Sequence, residues 1–149
     1  MSASQDSQIS SFGFLLNQAA RALRSTVAHD LRVHGLDDDQ WVVLRNTFSM
    51  EKAGRPGATP QDIARHLNVE IEDVVAAAER LARGGFVTLG VEAGAQQPVV
   101  MLTDKARRVL PGLVDVGNWT AERALNEFTN EEIGELVGFL KRIRRNLGS

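Results

Sequence analysis

Ile9, Phe12, Leu16, Ala19, Leu23, Val27 and Leu31 step along the chain by threes and fours. That is the period of one helical face, so they predict a long amphipathic helix that stops near Gly35. Thr59, Pro60 and Asp62 stand in the order of a helix start: a hydroxyl cap, proline at the first helical position and an acid at the third. Ile63, Ala64 and Leu67 continue at helical spacing, and Asn68-Val69 breaks the pattern. Ile71, Val74, Val75, Ala78 and Leu81 then form a second helical stripe, closed by Gly84-Gly85 as a C-cap. Residues 86–89 and 99–102 are β-prone runs joined by a Gly-containing tip, the pattern of a hairpin. Residues 104–128 read as a helix bent near Pro111. Thr129 and Glu132 form a capping box before a last stripe of Ile133, Leu136, Val137, Leu140, Ile143 and Leu147. Residues 51–58, with Gly54, Pro56 and Gly57, read as a flexible loop.

Helix, tight turn, helix and hairpin in this order predict a winged helix-turn-helix. The expected fold is therefore mainly α (α+β): a single domain of residues 1–149, a winged unit at 37–103, and flanking helices at 8–34 and 104–147. The flanking stripes could cover an intramolecular core. A compact winged unit leaves them too little to cover, which points to dimerisation helices.

Five segments carry a further likeness: residues 35–44 (GLDDDQWVVL), 59–67 (TPQDIARHL), 79–87 (ERLARGGFV), 100–103 (VMLT) and 128–136 (FTNEEIGEL). In this order and spacing they resemble the MarR (multiple-antibiotic-resistance regulator) family of winged helix-turn-helix transcription factors, over nearly the whole chain. The resemblance implies an obligate homodimer, double-stranded DNA as partner, and often a small-ligand pocket between the dimer helices and the reading head. Phe12, Trp41 and Phe48, with Trp119, would give that pocket apolar walls. Ordinary core packing is the alternative for each of them.

Composition narrows the chemistry. A chain of 149 residues suits one domain and buries about 68–70% of its unfolded surface. It has no cysteine, which excludes disulfides, thiolate metal sites and thiol-based oxidant sensing. The effector expected is then a noncovalent ligand, a small aromatic one. The first residues lack a basic start and apolar run, and no stretch of 18 apolar residues occurs; a cytoplasmic protein without membrane contact is expected. No serine elbow, phosphate-cradling loop or paired-carboxylate pattern suggests catalysis. His29, Asp30 and His34 do not share a helical face as metal ligands should, and Asp62 with His66 reads as a surface pair. Neither an enzyme nor a cofactor is expected.

The charges conflict with the scaffold. Residues 70–83 should form the helix that enters the major groove, with the wing tip at the phosphates. Between Val69 and Thr103 there are five acids, Glu70, Glu72, Asp73, Glu79 and Glu92, against two bases, Arg80 and Arg83. Duplex DNA is a dense line of negative charge that such a surface repels. The next exposed sites on the helix are expected to be Ala76 and Ala77. Where the resemblance implies an Asp-Arg-Arg wing, the chain has Ala95-Gln96-Gln97. The candidate DNA contacts are Arg55, Thr59, Gln61, Arg65, Glu72, Gln96 and Gln97. Glu72 would accept from cytosine N4, and the two glutamines would act as neutral groove readers. Phosphates would fall to cations outside the reading head, among them Arg45, Lys52, Arg55, Arg65, His66, Lys105, Arg107 and Arg108. The basic tail of Lys141, Arg142, Arg144 and Arg145 reads as a solvated helix face. The alternative is a degenerate winged-helix dimer that has left DNA and binds a protein or small molecule.

Overall fold

In a computed structural model, which describes residues 2–90 and 98–148, six helices flank and carry a two-stranded sheet. They are α1 (Ala3–Val33), α2 (Asp38–Lys52), α3 (Pro60–Leu67), α4 (Ile71–Arg83), α5 (Asp104–Ala124) and α6 (Asn130–Asn146). Strands β1 (Val87–Gly90) and β2 (Val99–Leu102) pair antiparallel, with Val87 opposite Leu102 and Gly90 opposite Val99. Gln96 and Gln97, in the expected wing tip, lie outside the described residues.

Short polar side chains start the helices. The Gln40 N–H donates to Asp37 Oδ1 and the Asp37 N–H to Gln40 Oε1, both at 2.8 Å, closing a capping box on α2. Thr129 and Glu132 do the same on α6, while Thr59 and Thr103 cap α3 and α5 through their hydroxyls. The stops repeat as well. Gly35, Gly54, Asn68 and Gly85 each take a positive φ just past a helix. The next residue's N–H then reaches back into the last turn, as from Leu36 to Leu31 and from Phe86 to Leu81, both at 2.9 Å. Leu31 meets Leu36 and Leu81 meets Phe86 as buried pairs, the apolar contact that accompanies this kind of helix end.

One core joins the C-terminal part of α1 (Val27, Leu31) to Leu44 of α2, Ile63 of α3, Leu81 of α4, Val100 of β2 and Leu110 of α5. α6 contributes no buried residue, and the first half of α1 is exposed.

Three expectations need correction. Residues 51–58 are not a free loop: Ala58 bridges Val100 through bonds of 3.2 and 2.8 Å and seats a third edge on the wing. Val75 does not belong to the buried stripe of α4, which runs through Val74, Ala77, Ala78 and Leu81; Val75 faces outward and Ala77, expected outside, is 0% exposed. The reason is phase: starting the helix at Ile71 turns positions 74, 77, 78 and 81 onto α2 and α3. Finally, the helix after the wing ends at Ala124, not residue 128, and Glu127 takes φ +68° so that Thr129 can cap α6. It continues through Pro111, whose ring has no N–H for the preceding turn.

The turn into the wing gives the first prediction. At Gly57, φ is +83° and an added Cβ would lie 2.7 Å from Val99 Cγ1. Gly57→Ala should lower the unfolding free energy in urea by about 1–3 kcal/mol. Gly112→Ala, with open space around its Cβ inside α5, should raise it by about 0.5–1 kcal/mol.

Candidate nucleic-acid interface

The face that α4 turns away from the core is built by Glu72, Ala76, Glu79 and Arg83, three or four residues apart and all exposed. Val75 flanks this crest on one side, and Asp73 and Arg80 flank it on the other. Glu70 precedes the helix without making a side-chain cap. The acids at this end suit a helix N-terminus, where each contributes about 0.3–1 kcal/mol against the dipole. They also leave the crest without a positive group until Arg83.

The few cations nearby are largely committed elsewhere. Arg80 Nη2 lies 3.2 Å from Asp37 Oδ2, a tie to the cap of α2, and its Nε is buried without a partner among the described residues. Arg107 holds Glu51 at 2.8 Å and Asp104 at 3.0 Å. Its hydrogen bond to Glu51 is the main cause of a raised pKa, and its charge is shared between two carboxylates on a partly exposed side chain. The Lys105 Nζ donates to the Gly84 carbonyl at 2.8 Å over the Phe86 ring. Arg65 is the exception: it lies 3.5 Å from Asp62, in place of the Asp62–His66 pair expected from spacing, but its side chain is largely exposed and open to other partners.

The candidate DNA contacts separate into groups. Arg55 and Arg65 meet, with His66, Asp62, Met50 and Gly57, around one open cleft of about 480 Å³ between the α2 end and α3. Thr59 spends its hydroxyl oxygen on the Asp62 N–H at 3.2 Å, and Gln61 is exposed in the same first turn. Glu72 stands apart on the α4 crest.

The candidate effector residues separate too. A cleft of about 220 Å³ opens between α1, α2 and α5, lined by Leu23, Val27, Trp41, Arg45, Gly117 and Thr120 among others. Phe12 does not line it: it lies eleven residues up α1 from Leu23, about 16 Å at helical rise. Phe48 does not line it either, because it packs against the core two turns beyond Trp41 with Lys52 over its ring at 4.8 Å. Trp119 turns outward and stacks with Arg123 at 4.8 Å. The cleft residues that apolar spacing did not single out are Arg24, Asp38, Val42, Arg45, Asn118 and the small face of α5. Gly117, Thr120 and Ala121, at positions i, i+3 and i+4, were its legible signal. Past Arg45 the trough continues to Asn46, Ser49 and His66. Asn46 is buried there, and its Oδ1 has no hydrogen-bond partner among the described residues.

Fold and crest together define a winged helix-turn-helix protein with an uncharged-to-acidic reading face. No family model matches the chain. It is 26% identical over 133 residues to YybA of Bacillus subtilis strain 168, described as an uncharacterized HTH-type transcriptional regulator, covering 89% of this chain and 85% of that one. The crystal structure of transcriptional regulator PA3341 superposes with a TM-score of 0.77 at 26% identity, covering 91% of this chain and 97% of that one. A MarR protein from Peptoclostridium difficile shares the fold with a TM-score of 0.80 at 19% identity, covering 92% and 87%. The chain thus has the winged helix-turn-helix fold of MarR-family regulators and is similar in sequence to transcriptional regulators. Among the described residues, no helix is long and apolar enough to cross a membrane.

The Arg80–Asp37 tie can be tested directly. Asp37→Asn keeps a capping acceptor and releases Arg80; both side chains are substantially exposed, so the loss should stay within about 1 kcal/mol. Asp37→Ala removes cap and tie together and should cost about 1–2 kcal/mol, read from thermal unfolding midpoints.

Proposed function

We propose that the chain acts in the cytoplasm as a homodimeric regulator that binds duplex DNA with a weak electrostatic grip and is tuned by a small aromatic anion. The observation that carries this reading is the helix-turn-helix with its paired strands, which holds the α4 crest exposed while Arg55 and Arg65 share a cleft on the adjoining α3 edge. The crest enters the major groove, and Arg55, Arg65 and Arg83 supply phosphate contacts. Thr59, Gln61, Gln96 and Gln97 add neutral ones. Dimerisation is supported by apolar surface that this chain does not cover itself: Ile9, Phe14 and Leu15 on α1, Phe139 and Leu140 on α6, and Leu147 just past its end. The effector is held in the α1–α2–α5 cleft, with its ring beside Trp41 and its charge toward Arg45. At about 220 Å³ the cleft is smaller than the roughly 300–1,000 Å³ of drug-sized sites and suits a single ring.

The acidic crest also supports a second reading, in which the winged unit has left DNA and binds another partner. Selection of genomic fragments by the wild-type protein at low salt separates the two. Three contacts per subunit give six phosphates, so log affinity should fall with log salt at a slope no steeper than about −5. Gln96→Arg with Gln97→Arg should steepen it toward about −9. A steeper wild-type slope with nanomolar binding would show a strong grip, and selection of no fragment would favour the second reading.

Two further outcomes are expected. Light scattering should give a dimer at micromolar concentration and a folded monomer for Leu140→Glu, since Leu140 is exposed on the single chain. In a Trp119→Phe background, Trp41 emission should respond to one or more of a panel of small aromatic acids. Gly117→Leu, which projects into open space at the cleft, should abolish that response.

A further inference from the structure

Over its first two and a half turns, the outward side of α4 carries no group suited to a purine. The exposed residues nearest the crest are Glu72, Val75, Ala76 and Glu79. In the major groove, adenine is taken by the amide of Asn or Gln and guanine by Arg or Lys. Carboxylates accept from the cytosine N4 amino group, and apolar groups meet the thymine methyl. A recognition helix reads base edges with its N-terminal residues. Arg83, eleven residues and about 16 Å beyond Glu72, is out of that range.

Resting on the DNA-binding reading above, we propose that α4 reads a pyrimidine-rich strand. Glu72 and Glu79 accept hydrogen bonds from cytosine N4, and Val75 and Ala76 pack against thymine methyl groups. Position favours this assignment over simple repulsion. Both carboxylates lie on the crest, which faces the groove floor, farthest from the phosphate walls that would oppose them. Cytosine N4 is the base-edge donor in the major groove that a carboxylate can meet besides adenine N6, and adenine N6 comes with an N7 acceptor that a carboxylate repels. Val75 supplies what the apolar spacing had placed in the core: beside Ala76, a branched methyl surface of 37% exposure between the two carboxylates, a match for thymine and for nothing on a guanine edge.

The experiment is selection from random duplexes by the full-length wild-type protein at low salt, followed by titration of altered sites. The selected half-site should carry cytosine and thymine on one strand over about four consecutive positions. Replacing a contacted thymine by deoxyuracil removes only the methyl group and should weaken wild-type binding about three-fold. Val75→Ala should lose sensitivity to that change at one position. Glu72→Gln should shift the preference at its position from cytosine to adenine by about ten-fold. Both side chains are exposed, so neither change disturbs the core. Indifference to every thymine-to-uracil change, or a Glu72→Gln protein that keeps the cytosine preference, overturns the pyrimidine assignment while DNA binding stands. Selection of no duplex at all overturns the DNA-binding reading and this inference with it.

Discussion

The burial of α2 is the constraint on which the remaining structure depends. α1, α3, α4, α5 and β2 all pack on it, and Val43, Leu44 and Thr47 are buried along its length. The Thr47 hydroxyl satisfies itself by donating to the Val43 carbonyl at 2.8 Å, so a polar side chain can sit in this core. Each end of α2 is also pinned by an arginine from a neighbouring helix, Asp37 by Arg80 and Glu51 by Arg107. Such exposed pairs contribute little to stability. Their role is positional: they set how α4 and α5 sit against the helix between them. Because Trp41 and Arg45 line the cleft while Asp37 holds Arg80, the same helix faces the cleft on one side and α4 on the other.

Those ties also explain the poverty of charge at the reading face. Arginines that could have met phosphates are used inside the chain, and the acids at the start of α4 stabilise its N-terminus. What is left is a shape suited to a groove with weak long-range attraction. In the proposed DNA-binding mode, affinity would come from close contacts at the groove floor, and discrimination from the base edges that carboxylates and methyl groups can meet.

The uncovered apolar surface of α1 and α6 belongs to the same economy. α6 has no buried residue and the first eight residues of α1, 3–10, are all exposed, yet both helices carry apolar residues at helical spacing. Helices of this kind derive most of their stability from packing of the apolar face, and in the proposed homodimer a second copy would supply equal stripes.

The amino-acid sequence by itself determined the order and type of the elements, because their signals are local. Caps at Asp37, Thr59, Thr103 and Thr129, left-handed turns at Gly35 and Gly85, and apolar steps of three and four each act within a few residues. The acidity of the reading helix was legible for the same reason. Tertiary structure alone decided the phase of α4, where packing on α2 turned Ala77 inward and Val75 outward although both fit an apolar stripe. It alone decided that Ala58 joins the wing, a pairing across forty-two residues. It decided which cations are committed, since Arg107 finds Glu51 across fifty-six positions. It also moved the candidate effector cleft away from Phe12 and Phe48 to the small-residue face of α5, because a cleft is set by what three helices leave unfilled, and no single helix's periodicity records that.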